Sequence, residues 1–254
     1  MGKNRHTLRL SVVVPAAGLF LGSCVTFPIQ SGLFQLAGFS LTGASATATQ
    51  PGPASGKRGE IQTGAIPGRT LLPVQARLLA GAHYFLGKTE LVWAGRTYTY
   101  DCTGTILAIY AYAGIDLADR FSHYSGNGVQ RLYKIMGYHD LLYSTHLPQV
   151  GDIIFWDNTY DANGNGLWDD ALTHAGMVVG VTPSGEISYV HQNYAKGIVI
   201  EKMNLVHPDV YTEDEGGATV LVNSPMRMRG QPPGPAWLSG QLFKVFGKGY
   251  LLAG

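Results

Sequence analysis

Two cysteines and eight histidines are the residues of this 254-residue chain best suited to nucleophilic chemistry. Cys102 stands in Asp101-Cys102-Thr103-Gly104, just ahead of an apolar stretch. A thiol attacks a carbonyl only as thiolate, so it needs a positive field or a base to hold its proton. A helix starting at Cys102 would supply the field through its dipole, and Gly104 would relieve crowding near the sulfur. His174 opens one apolar run and His191 closes the next. Paired as a hairpin, these runs bring the two imidazoles to one end of a sheet. His174 then faces the sulfur as base, and His191 holds its other ring nitrogen. Each residue alone has a plainer use, as a buried small apolar side chain or a solvated strand end. The combination points to catalysis. No CxxC or HxxxH spacing supports zinc, so no metal is assigned and no cofactor is expected.

The elements that must position these residues are legible in outline. Val74, Leu78, Leu79, Ala82 and Phe85 recur at helical spacing, and Pro73 suits a first turn. A second helix runs from Cys102 to about Ala113, with Ile106, Leu107, Tyr110 and Ala113 as its buried stripe and Gly114 to end it. Residues 115–147 read as helical turns and loops. Strands follow at Ile153–Trp156, Ala175–Val181, Ile187–His191, Ile198–Lys202 and Ala218–Asn223, with Thr182-Pro183-Ser184-Gly185 as a turn. Helices first and strands afterwards predict an α+β fold, N-terminal helices packed on an antiparallel sheet of about five strands. The domain is expected over 71–225, with 226–254 as a C-terminal tail of unknown role.

The chain is 45% hydrophobic and 14% charged, against about 25% charged in an average globular protein. A net charge of +1 excludes the strong basic field of a nucleic-acid binder. The N-terminus has its own pattern. Lys3, Arg5 and Arg9 precede an apolar run from Leu10 to Leu21, too short for a stable bilayer span. The run ends Leu21-Gly22-Ser23-Cys24, which resembles the bacterial lipobox. That resemblance implies a lipoprotein signal over 1–23 and lipidation of Cys24, which would anchor the protein to a membrane. Val25 in place of an aspartate resembles the outer-membrane sorting pattern, so the domain is expected to face the periplasm. Residues 24–70, rich in Ser, Thr, Ala, Gly and Pro, read as a flexible linker. With separate roles for Cys24 and Cys102, no structural disulfide is expected, and the protein is expected to be a monomer.

The motifs together resemble those of the NlpC-type peptidases, bacterial cell-wall hydrolases with a papain-like core. The matching residues are Asp101-Cys102-Thr103-Gly104, Gly151-Asp152-Ile153-Ile154-Phe155, His174-Ala175-Gly176, His191 and Gly197-Ile198. The resemblance implies Cys102 as nucleophile, His174 as base and His191 as orienter. It also implies that Asp101 and Thr103 help bind the stem-peptide amine, Thr103 standing where the family has serine. The family's recognition tyrosine is missing from Leu91-Val92-Trp93-Ala94-Gly95, leaving Tyr98 or Tyr100 as substitutes. The sister family, CHAP, is the rival, because His191-Gln192-Asn193 is similar to its Glu-x-Asn segment, with Asn193 as alternative orienter. The activity implied is hydrolysis of amide bonds in peptidoglycan stem peptides. A non-catalytic wall-binding lipoprotein and a thiol acyltransferase are the other readings. Asp161, Asn163, Asn165 and Asp169 resemble a calcium loop, but Leu172 stands where its final acid belongs, and an Asx-rich turn is the alternative.

Overall fold

The computed structural model describes residues 70–253. The expected signal, the lipidation site Cys24 and the linker lie outside the described residues. Helix α1 spans Pro73–Phe85 with proline in its first turn, and the Gln75 side chain accepts the Leu72 N–H at 2.9 Å. A small hairpin follows, β1 Leu91–Trp93 and β2 Arg96–Tyr98. Helix α2 spans Cys102–Tyr112. The spacing predicted one buried stripe on it, but every residue from Thr103 to Tyr110 is buried. A helix apolar all round is the central helix of its layer. Helix α3, Gly128–Tyr138, is a full helix within the span expected to hold helical turns and loops. Asn127 accepts the Gln130 N–H at 2.9 Å while Gln130 accepts the Asn127 N–H at 3.1 Å. This reciprocal cap, with Val129, Leu132, Ile135 and Met136 buried on one side, accounts for the helix.

The main sheet has six strands, all antiparallel, in the order β3-β10-β4-β5-β6-β7. They are β3 Leu142–Tyr143, β4 Ile153–Trp156, β5 His174–Val181, β6 Glu186–Asn193, β7 Gly197–Asn204 and β10 Phe243–Gly247. The expected α+β class is therefore the observed one. The last expected strand differs. Ala218–Leu221 is β9 and pairs only with β8, Thr212–Glu215, in a separate hairpin. All four residues of β8 are exposed, and their acidic sequence offers nothing to bury. The sheet instead takes β10 from the segment beyond 225, which inserts between β3 and β4 with Phe246 fully buried.

Side chains alternate across the sheet, so it carries two cores. On one face Ile153, Phe155, Ala175, Met177, Val179 and Val190 pack against Leu78, Phe85, Ile106 and Leu132 of the helices. On the other, Ile154, Trp156, Val178, Ile187, Tyr189 and Met203 pack with Met226, Leu242 and Phe246 from the C-terminal segment. Burial on both faces explains why β4 is the unbroken apolar run Ile-Ile-Phe-Trp rather than an alternating one.

Candidate active site

Cys102 is the first residue of α2. Asp101 is its N-cap, in extended backbone, and its carboxylate accepts the Gly104 N–H at 2.7 Å. The Asp101 carbonyl accepts from the Thr105 N–H at 3.0 Å and its hydroxyl at 2.8 Å. The helix start is thus bound on both sides of the cysteine. Gly104 has a different reason from the one expected. A Cβ there would fall 1.8 Å from the Thr99 carbonyl oxygen, so glycine lets the incoming loop, not the sulfur, approach the helix. Thr103 is buried against Gly128, and its hydroxyl lies 4.0 Å from the Cys102 sulfur.

The histidines come from the hairpin. His174 begins β5, paired with Trp156, and His191 lies near the end of β6, paired with Val199 of β7. Gly176 completes the local logic, since a Cβ there would sit 3.0 Å from the Val190 carbonyl and 3.1 Å from the Trp156 ring. Small size at this position lets the Trp156 indole pack beside His174, with ring centroids 5.7 Å apart. His174 Nε2 and His191 Nδ1 are 2.8 Å apart, with the rings perpendicular. His191 Nε2 lies 3.1 Å from Glu201 Oε2. Asn193, the alternative orienter, does something else: its side-chain oxygen accepts the Ala195 and Lys196 N–H groups of the β6–β7 turn, and its side-chain NH2 donates to Glu201 Oε1 at 3.4 Å.

Asp101, Cys102, Thr103, His174, His191 and Asn193 all line one cavity of about 590 Å³. Its other walls are the start of α3, Thr159 and Tyr160, the β6–β7 turn, and Pro225–Arg229 from the C-terminal segment. Residues 226–229 follow the expected domain end, yet they wall the cavity. Tyr98 is buried, and Tyr100 is exposed; neither lines the cavity.

The helix dipole was expected to ease ionisation of the thiol. Desolvation of this half-buried thiol instead pushes Cys102 up to about 11, with the Asp101 carboxylate adding to the rise. The Ala175 N–H and the Thr103 hydroxyl and N–H act in the opposite sense and are weaker in sum. His174 is held well below the usual imidazole range by burial and by neighbouring His191. Both shifts favour the neutral forms, thiol and neutral imidazole, over an ion pair.

Glu201 is the residue sequence reasoning missed. It is buried, bonded to His191, and paired with Lys196 at 2.7 Å. Burial tends to raise its pKa, but His191 and Lys196 outweigh this and hold the carboxyl below its usual range. A signal for it existed. Asn193 opposite Gly197 sets a register in which Glu201 faces Tyr189, on the same side of the sheet as His191.

Among the described residues no group of three or more His, Cys, Asp and Glu side chains could hold a metal ion. In the 161–170 loop, Asp161 accepts the Gly164 and Gly166 N–H groups, and Asn163 and Asn165 accept those of Asn165 and Leu167. That is the pattern of an Asx-rich turn.

No curated protein matches the chain. The family model of the CHAP domain does match, over residues 93–193. CHAP domains are typically cysteine- and histidine-dependent amidases or peptidases. The matched family is the rival that the segment after His191 brought to attention, and the match does not extend to the NlpC type specifically. The matched span, 93–193, contains Cys102, His174 and His191, and it is similar to CHAP, a family of cysteine-type hydrolases, while the cavity walls at Lys196 and Pro225–Arg229 lie beyond it.

Proposed function

We propose that this protein cleaves amide bonds in the stem peptides of peptidoglycan through an acyl-enzyme on Cys102. The observation that carries the proposal is the His174–His191 hydrogen bond at 2.8 Å, in a cavity that Cys102 also lines from the start of a helix. The CHAP match supports the substrate class.

Because thiol and imidazole are both neutral at rest, proton transfer accompanies attack. The S–H bond breaks, its proton passes to the free nitrogen of His174, and the sulfur electron pair forms the C–S bond. The carbonyl oxygen becomes an oxyanion. The backbone N–H of Cys102, in the first turn of α2 with no intrahelical acceptor, is placed to hold it. The C–N bond then breaks, and His174 gives its proton to the leaving amine. Water attacks the thioester, its proton goes to His174, and the released sulfur takes that proton back. Asp101, at the cavity wall, holds the substrate amine, and buried Thr103 supports the sulfur through its hydroxyl. His191 is the orienter and Asn193 a turn residue behind it. Signal cleavage before Cys24, lipidation there and display from the outer membrane into the periplasm complete the proposal. The lipobox resemblance carries that part.

The test is digestion of muropeptides by the purified protein and its Cys102→Ala variant, with the products identified by mass spectrometry. The wild type is expected to cut a stem-peptide amide. The variant should lose at least about 10³-fold in rate, as removal of a nucleophile does in related chemistry. Equal cleavage by both proteins would sink Cys102 as the nucleophile.

A further inference from the structure

Behind the two histidines stands a buried carboxylate with three side-chain partners. Glu201 Oε2 faces His191 Nε2 at 3.1 Å, and Glu201 Oε1 takes Lys196 Nζ at 2.7 Å and the Asn193 amide at 3.4 Å. The Tyr189 hydroxyl, Ser224 and Ser239 form the polar surroundings on that face. A carboxylate can only accept, so the proton between it and His191 belongs to Nε2. With the ring proton on Nε2, His191 presents Nδ1 as the acceptor. His174 must donate to it from Nε2, across 2.8 Å. This leaves His174 Nδ1 without a proton. One charge, two strands over from His174, thus dictates which nitrogen of His174 is free.

We propose that Glu201 is a positioning residue of the reaction: it sets the tautomers of His191 and His174 so that His174 Nδ1 receives the Cys102 proton, and it supplies the counter-charge to the imidazolium so formed. The step balances. The S–H bond breaks, an N–H bond forms at His174 Nδ1, the sulfur electron pair forms the C–S bond, and the positive charge on His174 is matched by the negative charge on the carbonyl oxygen. Glu201 stays ionised throughout. The proposal rests on the reading of Cys102 and His174 as nucleophile and base.

The isosteric Glu201→Gln change isolates the effect. Lys196 and Asn193 both donate to the Oε1 side, so the amide oxygen turns towards them and the NH2 group faces His191. His191 Nε2 must then accept, its proton moves to Nδ1, and His174 is left protonated on Nδ1. Replacing the carboxylate of a Ser-His-Asp triad by its amide lowers turnover about 10⁴-fold for this same reason.

The experiment uses the full-length protein and two readouts. The first is the rate of Cys102 alkylation by iodoacetamide from acid to alkaline pH, followed by peptide mass so that Cys24 is counted separately. The second is ¹⁵N NMR of the histidine side chains. In wild type, His191 and His174 are expected to carry their protons on Nε2. In Glu201→Gln, alkylation near pH 7 should fall by about tenfold or more and its pH dependence should move to alkaline values. Turnover should fall by about 100-fold or more, with KM within about threefold, and Glu201→Asp should recover part of the loss. A folded Glu201→Gln protein with unchanged alkylation and turnover, or wild-type His191 protonated on Nδ1, would overturn the proposal. Alkylation needs no substrate. A protein that leaves peptidoglycan intact but still shows the Glu201 dependence would overturn the substrate reading and keep this one.

Discussion

The helix start that carries Cys102 and the hairpin that carries His174, His191 and Glu201 are built by different rules. At the helix start the partners are close in sequence: Asp101 caps Gly104, and Thr105 binds back to Asp101. At the hairpin they are distant. His191 meets Glu201 ten residues on, and the face they share is covered by Met226, Leu242 and Phe246 from beyond the expected end of the domain. The first region is a local motif whose chemistry is altered by burial. The second is a tertiary assembly whose chemistry is created by it. Damage to the first should therefore be small in stability and local, whereas damage to the second can come from residues nowhere near the histidines in sequence.

The largest expected stability effect tests the hairpin side. Phe246→Ala removes a fully buried ring from the layer under Tyr189, and chemical denaturation should show a loss of about 3–5 kcal/mol. A loss under about 1 kcal/mol would mean that β10 is an ornament on the sheet and that the contrast is misplaced.

A middle-sized effect tests what burial does to the helix start. The thiol rises from 9.0 to about 11 on folding. Between these values the unfolded chain has lost its proton and the folded one has kept it, so stability falls as pH rises through that window. The thiol's share of the loss is on the order of 2 kcal/mol, and Cys102→Ala should remove that share, leaving what the raised buried tyrosines Tyr110 and Tyr189 contribute. His174 acts in the mirror sense. Its lowered imidazole pKa makes stability fall as pH drops below the ordinary histidine value, because only the unfolded chain takes the proton there. Denaturation midpoints measured from pH 5 to 11 on wild type and Cys102→Ala check the alkaline arm. An unchanged arm in the variant would assign it to other groups.

The smallest effect is the most local. Asp101→Ala removes the cap of α2 and should cost about 1 kcal/mol, read as a shift in the urea midpoint with an unchanged slope. A loss several times larger would show that this helix start, too, depends on distant partners.

Much of the site was legible because its signals are short-range. An Asp before a Cys ahead of an apolar helix is a capping signal, and two apolar runs around Thr182-Pro183-Ser184-Gly185 are a hairpin signal. These placed Cys102, His174 and His191 in one neighbourhood, as the cavity now shows. Helix α3 is legible through the Asn127–Gln130 cap and through Val129, Leu132, Ile135 and Met136 at helical spacing. The strand β10 was not legible. Phe243–Gly247 is a short amphipathic run after a proline-rich stretch, and nothing local says which strands will admit it.

By itself, then, the sequence determined the α+β order of elements, the helix that begins at Cys102 and the spacing that lets two histidines meet. Those outcomes depend on caps, turns and periodicity, which act within a few residues. Only the tertiary structure decided the protonation states of Cys102 and His174, the carboxylate behind His191 and the strand that completes the sheet. Desolvation and strand register are properties of the assembled fold. A helix start that should favour a thiolate therefore holds a thiol, and a glutamate in the middle of an apolar strand stands behind the base.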